Sequence, residues 1–552
     1  MASDDSARGA VTLNVDADPD SWSARWRAAF GAYWPHLLAF FSLCLFVAGA
    51  SAPLSDPDLP IHLATGEWVV RHHAVPFVEP FAWTRAGQPF QAYSWAIETA
   101  YYLILARFGP IGLHVLQGLV YIGFALSIGV LGKVARWSPW TIIAMVLAQL
   151  LVAFGTSSYV RPQAVLLIAT PISWALVLRA RDIPRLRWEL PALTLVSVVL
   201  ANTHLLFPIT AAPCVLLLSR IPRERKRLLT IPAAIAIGWF VTPYALDWPA
   251  IYRLYFAPNA LYGPLSPISE YKPGFSSAVS AEFSWLTIGL VLTVVPWVAA
   301  SRYSVRERLL HGFLWFAGLL IFAGAVRGLV IWWLLVIPTV AIALELLPEA
   351  SLPALRLAQR GAVIATFVGI ALLSLDDLRD PWMRAGSVST RFLPSVNARS
   401  IEPIAQWLDC NVKPNARGRL LTTFNFGGYV PWRLPYLSES IDGRTIFPDS
   451  VAKAEAYFAP NRATISLPPW RSADLAIAPL HFPVAAVLDT AKGWRRIALT
   501  SQMDGGTAMI GLWVTERWWL GAGRAPLPTH IVPLYHRPPD ANHLKSQNCA
   551  GT

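Results

Sequence analysis

Apolar runs of near-spanning length follow one another along this chain up to about Asp376. A bilayer core about 30 Å thick takes roughly 20 apolar residues per helix. Lipid offers no hydrogen bonds, so each such run must satisfy its own backbone groups as a helix. Candidate spans lie at roughly 36–54, 110–132, 138–157, 164–179, 189–203, 205–219, 228–246, 282–300, 312–326, 328–346 and 361–376. They are too many to be the core of one soluble domain. Only 14% of the residues are charged, against about 25% in soluble domains. The chain therefore reads as an α-helical polytopic membrane protein with about 11 transmembrane helices.

A net charge of +12 would suit nucleic acid. The basic residues instead cluster between apolar runs, as the positive-inside rule requires, so we expect no nucleic-acid partner. With the N-terminus inside, inner loops hold sixteen Lys and Arg, among them Lys133, Arg136, Arg179 and Arg227, and outer loops hold seven. An odd number of spans then places residues after Asp376 outside. The first apolar run starts too late and runs too long for a cleaved signal peptide, and reads as a retained span. The expected organisation is a cytoplasmic tail over 1–33, a transmembrane domain over 34–376 with long outer loops at 55–109 and 243–281, and an extracytoplasmic domain over 377–552. Cys44, Cys214, Cys410 and Cys549 form no CxxC or zinc spacing, so neither a disulfide framework nor a metal cluster follows from them.

Within the first outer loop, Ser94–Phe108 is apolar but short, and reads as a helix lying at the outer interface. Beyond Asp376, a helix at Ile401–Cys410 alternates with strand-like runs from Arg419, Asp474, Trp494 and Thr507, the pattern of an α/β domain. The Pro-rich tail from Arg524 reads as irregular.

The segment richest in chemistry is Ser55-Asp56-Pro57-Asp58-Leu59-Pro60-Ile61-His62, directly after the first span. If Pro57 opens a helix, Asp56 is its N-cap, and Asp58 and His62 share a face at i, i+4. Two carboxylates and an imidazole are the inventory of a general base or a cation site. They serve equally as a cap and a partner for the helix dipole. Arg161 and Arg327 present guanidinium forks suited to a phosphate, and suited also to lipid headgroups. His204, in the polar break Asn202-Thr203-His204, faces a ligand or is simply hydrogen-bonded. Glu98 sits in an otherwise apolar helix, where burial is costly without a partner. Gly427-Gly428 and Asp442-Gly443-Arg444 allow close backbone approach or ordinary turns. A divalent cation at Asp56 and Asp58 is possible, although two carboxylates and one imidazole leave its shell incomplete. No Walker, Rossmann, HExxH or GxSxG motif occurs.

In order along the chain stand Asp56-Pro57-Asp58, His62, Thr65-Gly66-Glu67, Phe81-Ala82-Trp83-Thr84, Ser94-Trp95-Ala96-Ile97-Glu98, Arg161-Pro162-Gln163, Asn202-Thr203-His204, Thr242-Pro243-Tyr244 and Gly427-Gly428-Tyr429. From Ser55 to about Val514 this order resembles an uncharacterised branch of bacterial GT-C-type glycosyltransferase-like membrane proteins. That branch often has aromatic residues where this chain has Pro60 and Ile61. The resemblance implies a GT-C-like fold in a bacterial inner membrane and sugar transfer at its outer face. The donor would be a sugar on polyprenyl phosphate, and the acceptor a glycan or lipid. It also implies Asp56 or Asp58 as catalytic base. His62, Glu98, Arg161, His204 and Arg327 are then the candidate substrate-binding residues. The alternative is a non-enzymatic transporter or scaffold for lipid-linked saccharides. A transporter would hold its ionisable groups at mid-span, whereas here they collect at the outer edge.

Overall fold

A computed structural model describes residues 42–51, 54, 56, 58–155, 160–219, 221–256, 291, 304–350, 396–413, 415–441, 471–500 and 509–534. The apolar half is helical. In order come α1 (Ser42–Ser51), α2 (Leu59–His72), α3 (Trp95–Ala135), α4 (Pro139–Gly155), α5 (Pro162–Asp182) and α6 (Glu189–Ala201). A 3₁₀ segment (Phe207–Ser219) follows, then α7 (Ile221–Trp239), α8 (Trp248–Phe256), α9 (Val305–Gly324) and α10 (Gly328–Ala350). Four of these helices are long and apolar enough to cross a membrane: α3, α5, α9, and α10 over Gly328–Glu345. The candidate spans 282–300 and 361–376 lie outside the described residues, except for helical Val291.

Several boundaries differ from the hydropathy reading, each for a physical reason. The interfacial helix and the span after it form one 41-residue element, α3, broken at Gly109. Gly109 has φ 65° and ψ −164°, a conformation essentially reserved for glycine, and Pro110 follows it. Residues 205–219 hold a 3₁₀ helix with Pro213 inside it. At about 2 Å per residue it reaches farther than an α-helix of equal length. The 228–246 run is shifted to Ile221–Trp239, so the basic stretch Arg223–Arg227 is helical. Likewise α9 starts at Val305, on a capping box between Ser304 and Glu307. Charged residues end the apolar stripe without ending the helix.

Arg227 illustrates why that stretch folds. Its guanidinium donates to the carbonyls of Ala180 (2.8 Å), Arg181 (3.1 Å) and Ile183, while Glu224 holds its Nε at 2.8 Å. The last four carbonyls of a helix have no intrahelical donor, and Arg227 supplies donors at the end of α5. The helical core is mostly aliphatic and buries large aromatic side chains among its Leu, Ile, Val and Ala residues, with Trp174, Trp332, Trp333, Tyr121, Phe124 and Phe322 in one cluster.

The C-terminal part contains a six-stranded mixed sheet in the order β2-β1-β3-β5-β4-β6. Its elements are α11 (Val396–Asn411), β1 (Gly418–Thr422), α12 (Phe424–Gly427), α13 (Val430–Arg433), β2 (Leu437–Glu439), β3 (Leu475–Pro479), α14 (Pro483–Thr490), β4 (Trp494–Thr500), β5 (Ile510–Thr515), α15 (Glu516–Ala522) and β6 (Val532–Leu534). The short β2 and β6 are not legible in the hydropathy pattern. β6 lies in the tail read as irregular, where Pro533 is tolerated because the strand forms the sheet edge. Gly427 and Gly428 lie at helical turns between α12 and α13. The 442–444 motif falls outside the described residues. Cys410 is disulfide-bonded, an outcome the cysteine spacing does not give, while Cys44 and Cys214 are free thiols.

The two parts are joined through the loop between α2 and α3. Ala82 pairs with Glu439 as a parallel bridge beside β2. Thr84 Oγ1 donates to the Ser440 carbonyl (2.5 Å), Ser438 Oγ to the Phe81 carbonyl (2.9 Å), and Trp83 Nε1 to the Leu420 carbonyl (3.2 Å). Trp432 of α13 packs on the cluster of Leu54, Leu59, Leu63, Tyr101, Leu113 and Val160 beneath α2. The Arg227→Gln variant should lose about 2 kcal/mol of stability, the worth of a charge-assisted bond. The readout is a lower unfolding midpoint in detergent; an unchanged midpoint would mean the α5 carbonyls find donors elsewhere.

Candidate functional site

The site begins where α2 starts. Pro60 sits in the first turn, so the N-cap is Asp58 and the helix opens at Leu59. This corrects the expectation that Pro57 opens the helix with Asp56 as its cap. Neither acid caps with its side chain in the expected way. Asp56 Oδ1 instead accepts the Asp58 N–H at 2.8 Å, tightening the turn before the helix.

Arg161 comes from 105 residues away and closes on both acids. Its Nε lies 2.5 Å from Asp56 Oδ2, and a terminal nitrogen lies 3.2 Å from Asp58 Oδ2. The side chains of Asp56 and Arg161 are only 5% and 7% exposed, while that of Asp58 is 36% exposed. The two carboxylates are thus distinct. Asp56 is buried, and Asp58 is partly exposed. Arg161 is also the N-cap of α5, ahead of Pro162. A cation there opposes the positive helix end, and the two carboxylates offset that cost.

One turn along α2, His62 Nδ1 lies 2.7 Å from Glu98 Oε1 of α3. Glu98 is buried, and its Oε2 has no hydrogen-bond partner among the described residues. Gly66 makes this approach possible: a Cβ there would stand 2.1 Å from the Glu98 carbonyl oxygen. Burial disfavours the His62 cation, but Glu98, Asp58 and Asp56 outweigh it and raise its pKa above the ordinary 6.5.

His204 lies in the turn after α6, and is buried. Its Nδ1 accepts the Leu206 N–H at 3.0 Å, which leaves the proton on Nε2. Burial, the Arg327 charge and the His62 charge push its pKa down to about 3. It is therefore a neutral donor at physiological pH. The same influences place Arg327, between α9 and α10, and His62 in one electrostatic neighbourhood with His204. The structure thus gathers Asp56, Asp58 and Arg161 by direct contact and His62 with Glu98 by direct contact. Both contacts lie at the start of α2, and the charges of Arg327 and His62 act on His204.

Two residues that organise the site are not assigned a role by sequence reasoning. Asn202 accepts from Trp95 Nε1 (2.9 Å) and donates to the Val198 (2.8 Å) and Val241 (2.7 Å) carbonyls, tying α3, α6 and the end of α7 together. Tyr244 donates to the Pro76 carbonyl (2.8 Å) and accepts from Ala92 N–H (3.1 Å), pinning the loop between α2 and α3. Their signal was a polar residue flanked by apolar runs.

Among the described residues, no group of three or more ligating side chains gathers around one point. Arg161 engages Asp56 Oδ2 and Asp58 Oδ2, so this donor set does not fit a divalent cation and no step is routed through one.

No family model matches the chain, and no curated protein matches it in sequence. Among solved structures, it is similar to the archaeal oligosaccharyltransferase AglB from Archaeoglobus fulgidus in complex with an inhibitory peptide and a dolichol-phosphate. The TM-score is 0.54 at 11% identity, covering 83% of this chain and 70% of that one. The apo form of the Archaeoglobus fulgidus enzyme gives 0.51 at 11% identity, over 82% and 70% of the two chains. ArnT from Cupriavidus metallidurans bound to undecaprenyl phosphate gives 0.48 at 15% identity, over 91% and 100%. The fold is that of a GT-C-like membrane protein.

Replacing Arg161 with Met strands a buried carboxylate, and should cost about 3–5 kcal/mol; full stability of Arg161→Met would mean Asp56 is not buried with its charge. The raised pKa of His62 stabilises the fold fully below 6.5, and that contribution is lost as pH rises through the folded value. Thermal stability should therefore fall as pH climbs past neutral. Glu98→Gln should flatten that slope, and an unaltered pH profile would count against the pair.

Proposed function

We propose that the chain is a membrane glycosyltransferase that moves a sugar from a polyprenyl-phosphate donor to a glycan or lipid acceptor at the outer face of a bacterial inner membrane. One observation carries this reading: a half-exposed carboxylate, Asp58, held beside a buried Asp56–Arg161 pair on a GT-C-like fold. The AglB complex contains dolichol-phosphate, which supports a lipid-phosphate donor here.

Asp58 takes the proton from an acceptor hydroxyl as its oxygen attacks the anomeric carbon. The bond from that carbon to the phosphate oxygen breaks, and the lipid phosphate leaves with the electron pair. Arg327, whose charge acts on His204, is assigned to the lipid phosphate together with the neutral His204 Nε2–H. His62, whose side chain is 17% exposed, meets the acceptor, and the buried Glu98 orients its ring. General-base help is worth about 10²–10⁴ in rate, and charge stabilisation at the leaving phosphate adds to it.

We read the topology as eleven spans, with the N-terminal tail 1–33 cytoplasmic, 34–376 in the membrane and 377–552 as an extracytoplasmic α/β domain. A disulfide at Cys410 supports an oxidising compartment for that domain. On this reading the activity belongs to polysaccharide biosynthesis of the cell envelope.

Purified protein is given a polyprenyl-phosphate sugar in liposomes, and release of polyprenyl phosphate is measured. Asp58→Asn should cut release by about 10²–10⁴, and Arg327→Gln should raise the donor KM. Intact donor carried across the bilayer without release would establish the transporter reading instead. Unaltered glycans in a deletion strain carrying Asp58→Asn would remove Asp58 from the chemistry.

A further inference from the structure

We propose that the face opposite the carboxylate site carries a binding site for an anionic phospholipid of that leaflet, centred on Lys133 and Arg136. A cleft of about 1210 Å³ opens there between the ends of α3, α5 and α10 and the start of α9. Its wall is split by chemistry. Val130, Val134, Leu178, Leu216 and Ile342 line one part, and Val130 is 49% exposed, as a lipid-facing side chain would be. Charged residues and two tryptophans, Trp137 and Trp188, line the rest. Tryptophan at such a level marks the headgroup region of a bilayer.

The cleft also contains acids, and the balance turns on which charges are already spoken for. Asp182 lies 3.0 Å from Arg181, Glu345 accepts the Ser138 N–H at 2.7 Å, and Glu307 closes the capping box on Ser304. Arg179 lies 3.0 Å from Glu189 and over the Trp188 ring. Lys133 and Arg136 remain, both exposed at the end of α3, with no carboxylate in salt-bridge distance among the described residues. Two exposed cations without a salt-bridge partner, beside apolar lining residues, match a phosphodiester with its acyl chains; Glu307 and Glu345 keep their charges, so the four cations of the lining exceed its three carboxylates by one. Basic pockets between membrane helices bind anionic headgroups on this principle. A zwitterionic lipid carries its own cation and gains little.

The site is separate from the transfer chemistry and does not depend on it. Native mass spectrometry of the full-length protein titrated with phosphatidylglycerol or phosphatidylcholine tests it. Phosphatidylglycerol should bind more tightly, and Lys133→Gln with Arg136→Gln should weaken it about thirtyfold, at roughly a factor of five per cation, leaving phosphatidylcholine unchanged. A photoreactive phosphatidylglycerol should label the 130–137 stretch in the native protein and lose that labelling in the double variant, a readout independent of affinity. Equal binding of the two lipids, unchanged affinity in the double variant, or displacement by millimolar inorganic phosphate would overturn the proposal, the last by making it a free-anion site.

Discussion

The Arg161 guanidinium holds together what the rest of the site needs. It joins the start of α5 to the start of α2, two elements with no reason of their own to meet. A buried ion pair is a weak source of net stability, because desolvation consumes most of the Coulombic gain. Its value here is positional. With Asp56 fixed and its other oxygen bound to the Asp58 N–H, the first turn of α2 has one orientation. That orientation sends His62 toward α3 and leaves Asp58 half in solvent.

The membrane part and the sheet are not beads on a string. A short piece of the loop between α2 and α3 extends the sheet beside β2, and Trp432 returns the contact by packing against the residues under α2. Ahead of that tryptophan stands Tyr429, whose hydroxyl donates to Glu402. Behind it, Arg433 bridges Glu402 (3.1 Å) and Asp409 (2.5 Å). Burial, Glu402 and Asp409 act together on Arg433, and the two acids prevail, raising its pKa further above its ordinary range. The contact at α2 is therefore backed by a fixed ionic cluster in the outer part.

The sequence carried the inventory of this site better than its geometry. Glu98 was legible because a carboxylate in an apolar helix needs a partner, and His62 is that partner. The pairing of Asp56 with Arg161 was not legible, since nothing local to either residue encodes a separation of 105 positions. The cap was misplaced because Pro57 and Pro60 both suit a first helical turn, and only the fold decides between them. Hydropathy found most apolar helices but cut them short at their charged ends, since a helix continues in water after its apolar stripe stops. β2 and β6 escaped because three residues are too few to show alternation.

Gly109 divides one long helix into two levers. The first lever, with Glu98, packs against α2; the second packs into the helical core through Tyr121 and Phe124. Because the chain leaves the helical path at one residue, the two can point in different directions. A side chain at position 109 would weld the levers and couple the two.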